Sequence, residues 1–482
     1  MYTAIEGVSI DVKRLDAFEG ILTTGHLHWA QVTAKRGLDL QSNHARRRRE
    51  CAEPVCEADK FHLLWKGVWD DFIHGRVFLL PASQHMLVDE PDSWAIPRAG
   101  LKPAGDGDAP PPNILWDDEK VTAGTVEDIL SKDKVFEHRM VAVDKRDKDG
   151  RVKTDAIRVV HNQSEPVACP KTKVRSKEAS VNGGTDKGRF PKVVLPTMAD
   201  LANAFVALAQ VHPGVSVSLA VKDVDAAYRR IQVVDRDVSL LATRVGAVIV
   251  VFTVCTFGYV GSPGAFGALG SMPLEKHVRS HTAASPRWNG EASLSCFSFV
   301  DDSALVSLRA GVCEGITESC YLHALHSMFG PSGLNVEKDK KVGLFLTKQK
   351  YCGLIYDLKN GTVGLGPARL CRAIQTLENP TWRYGNTNIS LRDMQSLHGQ
   401  MRWYAQACRP LHGMHSNISA MLSTTDLTGL HVKPPGTASA VKHKWMLFWE
   451  TLELHRIILQ KEAEFSASYL STFLGAVPLA RR

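Results

Sequence analysis

A chain of 482 residues is long enough for more than one domain, and 44% hydrophobic with 23% charged residues is the balance of a globular protein, not a disordered or fibrous one. No run of about 18 or more uncharged apolar residues occurs, so no membrane partner is expected. The formal net charge of +7 suits a polyanionic partner without demanding one. Residues 1–11 lack a basic start followed by an apolar core, and the ten cysteines are scattered, most of them in apolar segments. An intracellular protein with reduced thiols, in nucleus or cytoplasm and not secreted, is the expectation.

In chain order, residues 1–59 carry little periodicity. They include the run Arg46-Arg47-Arg48-Arg49, either a nucleic-acid or import signal or a solvated basic segment. Cys51, Cys56 and His62, with His44 upstream, fit no standard zinc spacing. Phe61, Leu64, Trp65, Val68 and Phe72 recur at helical spacing before Gly75, and a short strand is expected over 76–80. Residues 97–112, rich in Pro, Gly, Ala and Asp, read as a linker. A helix is expected to open at Thr125, then two strands over 140–143 and 156–160 around a polar loop ending in Asp149-Gly150. The basic stretch 171–177 is irregular, and a helix follows over 198–210.

Val215, Val217, Leu219 and Val221 alternate toward Asp223, the pattern of a strand. Strands are also expected over 247–253 and 294–308, and helices over 263–278, 314–329 and 367–377. Two late helices carry apolar stripes: Met394, Leu397, Met401 and Tyr404, then Trp445, Phe448, Trp449 and Leu452. Strands and helices that do not strictly alternate favour an α+β class.

The sharpest local feature is Phe299-Val300-Asp301-Asp302, between two apolar stretches. It predicts a hairpin whose tight turn bears adjacent aspartates. Carboxylates so close repel one another unless a cation neutralises them, and oxygen ligands suit Mg²⁺. An Asp-Asp turn is also common as a plain turn, because Asp hydrogen-bonds its own backbone. Asp223 supplies a second carboxylate at a strand end. If the two segments are neighbours, Asp223 and Asp301 can share two metals about 3.5–4 Å apart and serve an in-line displacement. Strict alternation places Asp223 on the same side as Val221, so the chain must leave the strand there or that side is not helix-packed.

Several motifs in order resemble the reverse transcriptase family. Val221-Lys222-Asp223-Val224-Asp225-Ala226-Ala227-Tyr228-Arg229-Arg230-Ile231 is similar to its first metal-binding motif. Phe257-Gly258-Tyr259-Val260-Gly261-Ser262-Pro263-Gly264-Ala265-Phe266 resembles the motif under template and nucleotide. Phe299-Val300-Asp301-Asp302 matches the aromatic-x-Asp-Asp motif, Gly333-Leu334-Asn335-Val336-Glu337-Lys338 the next one, and Tyr351-Cys352-Gly353-Leu354-Ile355-Tyr356-Asp357 the primer-grip hairpin. Upstream, Ala156-Ile157-Arg158-Val159-Val160-His161-Asn162 resembles the fingers strand, and Ser180-Val181-Asn182-Gly183-Gly184 a segment of retrotransposon enzymes. The match spans roughly residues 140–421. Its flavour is DIRS-type or Gypsy-type.

The resemblance implies a right-hand polymerase: an N-terminal region over 1–112, fingers over 113–214, and a palm with antiparallel sheet over 215–348 (with a fingers part inserted about 235–256). Primer grip and thumb would cover 349–425, and a helical connection segment 426–482. It implies RNA-directed DNA synthesis with two Mg²⁺, Mn²⁺ as a substitute, and RNA template, DNA primer and deoxynucleoside triphosphates as partners. Asp223, Asp301 and Asp302 would be catalytic, and these with Val224 would hold the metals. Tyr228 would exclude a 2′-hydroxyl. Arg158 and Lys145 would neutralise triphosphate oxygens, Phe257, Gly258 and Gly261 would line the nucleotide, and Lys338 (or Lys340) would protonate pyrophosphate. Leu354 and Tyr356 would place the primer end. The bland alternatives are a core aromatic, surface charges, a Gly-Pro turn and a buried strand.

Two positions depart from the family: Asn162 stands where many relatives carry an acid, and Phe257 where retroviral enzymes are polar, although retrotransposon relatives often have an aromatic there. No ribonuclease H constellation follows Glu464, as expected of a fragment, of a domain from a longer polyprotein, or of a decayed copy. An RNA-dependent RNA polymerase shares the palm, but Tyr228 argues against it. A non-catalytic nucleic-acid-binding remnant is the alternative from another class.

Overall fold

The computed structural model describes residues 10, 12–40, 54–81, 135–146, 152–165, 167–168, 175–176, 180–193, 195–283, 296–407, 409–422, 431–432, 434 and 436–462. The expectations for Arg46 to Arg49, the 97–112 linker and the Thr125 helix lie outside them. The chain divides into two compact units. One comprises Met1–Leu195, Lys222–Arg287 and Glu318–Asp339; the other comprises Pro196–Val221, Trp288–Thr317 and Lys340–Arg482. Helices and small, mostly antiparallel sheets are mixed without strict alternation, as an α+β class requires.

In the first unit, the helix Phe61–Ile73 forms where the apolar spacing places it, burying Leu64, Val68 and Phe72. The strand Val77–Pro81 follows and pairs antiparallel with Val248–Phe252, which pairs in turn with Ala242–Val245. Gly246, at φ +61°, makes the turn between the last two strands. Phe78, Leu80, Val238, Ala242, Ile249 and Val251 cluster in a core here. Arg139–Arg146 and Val152–Asn162 form a separate antiparallel ribbon with an irregularity between Asp144 and Arg146. The helix Thr24–Arg36 also belongs to this unit; its weak amphipathic pattern hid it from the sequence.

The second unit is built on a larger core. The helix Met198–Val211 starts at a reciprocal cap: Thr197 Oγ1 accepts from Asp200 N at 3.3 Å, and Thr197 N donates to Asp200 Oδ2 at 2.7 Å. Its Leu201, Phe205 and Leu208 pack with Val217, Leu219, Val306 and both late helical stripes. All eight stripe residues are buried, so those helices (Leu391–Ala407 and Ala438–Glu462) use their aromatic faces for packing. One three-stranded sheet runs in the order Val217–Asp223, Asp302–Leu308, Cys296–Phe299, and another is the meander Lys348–Tyr351, Leu354–Asp357, Thr362–Leu365.

Among the described residues, no helix is long and apolar enough to cross a membrane.

Candidate functional site

Every residue of Val217–Asp223 is buried. The alternation problem at Asp223 therefore has a plain answer: the strand is covered on both faces, and parity along it carries no information about solvent. The chain leaves the strand through Val224, which bridges Leu334, and Asp225, whose N donates to Gly333 O at 2.9 Å. Ala226 then turns left-handed at φ +51° into the short helix Ala227–Arg230. Arg230 is buried and fixes this corner by donating to the carbonyl oxygens of Asp225 at 2.7 Å and Phe329 at 3.2 Å.

The Asp223 carboxylate has two partners from one segment. Lys338 Nζ donates to Oδ1 at 2.6 Å, and Asn335 Nδ2 donates to Oδ2 at 2.8 Å. Asn335 also caps Val336–Val342, its Oδ1 accepting from Lys338 N at 3.1 Å. The cap and the first helical turn thus present amide and ammonium together to one carboxylate. Beside Asp223, the Lys222 ammonium is buried (1% side-chain exposure) and lies against Glu318 and, at 2.8 Å, Asp339. Two neighbouring residues of the strand end therefore meet two neighbouring residues of the helix, each cation facing an anion.

Tyr228 is buried, its ring 4.8 Å from that of Phe257 and 5.9 Å from that of Phe266. Phe257 is 42% exposed, so the pair has a dry side and a wet side. Gly258 has φ +116°, and a Cβ there would stand 1.9 Å from His161 O. A Cβ on Gly261 would stand 2.6 Å from the Phe190 ring. Both glycines are thus required by close protein neighbours.

Lys145 and Arg158 occupy the 139–162 ribbon and are exposed. Partial desolvation, then the like charges of Arg158, Lys153 and Arg229, hold the Lys145 ammonium below its ordinary range. The structure brings Lys145 into one basic cluster with Arg158.

In the second unit, the hairpin falls where the sequence places it. Phe299 pairs with Asp302, leaving Val300 and Asp301 as a two-residue turn, with Val300 at φ +62°. A β-branched residue in that region is strained, and Gly is the usual occupant of the first position of such a turn. Both aspartates are half-buried. Tyr351 braces this hairpin from the neighbouring sheet: its hydroxyl lies 3.2 Å from Asp302 O and 3.4 Å from Phe297 O. Burial pushes that hydroxyl far above its ordinary pKa, so it stays a donor. Leu354 and Tyr356 are buried strand residues, Tyr356 edge-on to Phe205 at 5.9 Å. Their side chains serve the core, which leaves backbone as the part of that hairpin available to a ligand.

Among the described residues, no group of three or more His, Cys, Asp or Glu is gathered as a metal site made of protein ligands alone. Asp301 and Asp302, adjacent in the hairpin, are hard oxygen donors of the kind Mg²⁺ takes, and that ion commonly uses one or two carboxylates with water and substrate phosphates completing the shell. Asp223 has the same donor chemistry, its oxygens here engaged by Lys338 and Asn335.

The sequence motifs contain Asn335, Lys222 and Tyr351 but give them no role. Asn335 carries a readable signal, an N-cap residue before a helix. Lys222 and Tyr351 act through partners far along the chain, which no local pattern shows.

No family model matches the chain, and no curated protein matches it. Among solved structures it is similar to three of a foamy viral protease-reverse transcriptase. With a form described as dRH in complex with double-stranded DNA, the TM-score is 0.44 at 11% identity, covering 94% of this chain and 62% of that one. With the RNA/DNA hybrid complex the values are 0.41, 10%, 94% and 47%. With the double-stranded DNA complex they are 0.40, 11%, 92% and 72%. The chain thus spans less than two thirds of the length of the first two.

Proposed function

We propose that this protein is an RNA-directed DNA polymerase of the retrotransposon type, joining deoxynucleotides to a primer 3′ end on an RNA template. The observation that carries the proposal is the Phe299–Asp302 hairpin: two adjacent carboxylates, Asp301 on the two-residue turn and Asp302 at the start of the following strand, beside a strained Val300 and braced by Tyr351. Adjacent carboxylates repel one another unless a cation neutralises them, and a strained turn persists where its surroundings over-determine it, as at functional sites. The ordered motifs around it support the same reading.

In this reading the 139–162 ribbon belongs to fingers, the Val217–Asp223 and Cys296–Leu308 strands to palm, and the late helices to thumb and connection. Asp223, Asp301 and Asp302, with the Val224 carbonyl, would hold two Mg²⁺. When bound, such ions lower the pKa of an attacking hydroxyl and neutralise charge on the leaving oxygen. Lys145 and Arg158 bind triphosphate oxygens, one as a point charge and one as a planar fork. The Tyr228 ring, backed by Phe266 and flanked by Phe257, fills the space a 2′-hydroxyl would need. Lys338 Nζ, already on Asp223, supplies a proton to the departing pyrophosphate. The 351–356 hairpin positions the primer end through its backbone.

The test is primer extension on an RNA template with deoxynucleotides and Mg²⁺. Wild type extends the primer and Asp301→Asn does not; equal extension by both would remove Asp301 from the reaction.

A further inference from the structure

The loop carrying Phe257 is held by a buried side chain, Asn182, that the proposed reaction does not use. Asn182 is buried and spends its whole amide on this loop and its flank. Nδ2 donates to Gly258 O at 2.7 Å and to Ser164 Oγ at 2.8 Å, while Oδ1 accepts from Val260 N at 2.9 Å. Only one orientation of the amide satisfies two acceptors and one N–H donor. The backbone of Asn182 is fixed too, its N donating to Gln163 O at 3.0 Å. From the other side, His161 N donates to Phe257 O at 2.8 Å, and Gln163 Nε2 donates to Thr256 Oγ1 at 3.0 Å. The stretch from Thr256 to Val260 is thereby held at the Thr256 side chain and at the backbone of Phe257, Gly258 and Val260. The end product is the placement of one half-exposed ring, Phe257, against Tyr228.

We infer that Asn182 is a positioning residue for sugar selection: by clamping Gly258 and Val260 it holds Phe257 against Tyr228, and so fixes the wall that rejects a 2′-hydroxyl. The inference rests on the polymerase reading above. Aspartate cannot replace Asn182, since it keeps the acceptor for Val260 N but presents an oxygen to Gly258 O where a donor stood. A buried carbonyl facing a carboxylate is repelled and left unpaired. The loop shifts, and Phe257 with it. Displacements of about 1 Å in a supporting residue are enough to change rates by roughly 100-fold.

The experiment uses the full chain and compares steady-state incorporation of deoxy- and ribonucleotides by wild type, Asn182→Asp, Ser164→Ala, Phe257→Ala and Asn182→Asp/Phe257→Ala. Amide hydrogen exchange over residues 257–260 is followed in parallel. Asn182→Asp is expected to lose roughly tenfold or more of the deoxy-over-ribo preference, mainly through a lower KM for the ribonucleotide, with faster exchange at Val260. Phe257→Ala, which leaves the clamp intact, is expected to lose preference similarly. The double variant should lose no more than Phe257→Ala alone, because both act through one ring. Ser164→Ala should keep the preference. A clamp variant that slows both nucleotides equally overturns the inference and leaves the polymerase reading standing, as does a Phe257→Ala protein with unchanged preference. Unaltered exchange at Val260 in Asn182→Asp overturns the clamp itself. Absence of any templated extension by wild type overturns the polymerase reading, and the inference with it.

Discussion

Lys338 places its ammonium 2.6 Å from one oxygen of Asp223, and the backbone N–H of the same lysine is held by the cap residue Asn335. One residue is thus fixed at both ends, by a cap at its backbone and a carboxylate at its tip. A proton donor benefits from that arrangement, because it is aimed before the substrate arrives. Lys338→Arg keeps the charge and the attraction to Asp223 but gives up a proton far less readily. Extension by Lys338→Arg is expected to fall by about 100-fold in kcat with the unfolding midpoint unchanged, as measured by single-turnover kinetics and denaturation.

The adjoining pair behaves differently because burial is unequal. Lys222 is 1% exposed at its side chain, whereas Asp339 is 24% and Glu318 is 38% exposed. Removing Asp339 leaves the buried ammonium with Glu318 alone; removing the ammonium leaves two carboxylates that reach water. Asp339→Ala is therefore expected to destabilise the protein by about 2 kcal/mol, and Lys222→Met by less than about 1 kcal/mol, in urea unfolding.

Val300 stands at φ +62°, which costs a β-branched residue more than any other. Val300→Gly is expected to raise stability by about 1 kcal/mol while lowering extension, since the freed turn no longer fixes the two aspartates. Thermal unfolding and primer extension on the same preparation separate the two effects.

His161 is fully buried beside His138, with Nδ1 of His161 3.1 Å from Nε2 of His138 and the Phe252 ring edge-on. Burial, then the charges of His138 and Arg229, push its pKa well below the ordinary value. The unfolded chain therefore binds a proton near pH 6.5 that the folded chain refuses, so stability present at neutral pH declines as pH falls below about 6.5. Denaturation midpoints between pH 7.5 and 5 are expected to drop in wild type. The drop should be shallower in His161→Phe, though not abolished, because His326, His398 and His455 are also shifted down by burial.

How far the fold was legible follows from where its information lies. The helices Phe61–Ile73 and Met198–Val211 and the Phe299–Asp302 turn were readable because spacing, cap and turn chemistry are local. The strand Thr362–Leu365 was not, since a short Gly-containing stretch has no alternation to betray it. Asp223 was found by its place at a strand end, but its partners Lys338 and Asn335 lie more than a hundred residues on. Lys222 would be taken for a surface charge in any sequence; only the two carboxylates around it make its burial tolerable.

Divalent-ion binding tests the central claim most directly. Mn²⁺ is titrated by electron paramagnetic resonance into wild type, Asp223→Asn, Asp301→Asn and the double variant, each with primer, RNA template and a deoxynucleotide present. Tight binding by wild type, strong loss in either single variant and little further loss in the double variant is the predicted result, because shared ligands are not additive. Undiminished Mn²⁺ binding by Asp223→Asn and Asp301→Asn would contradict it.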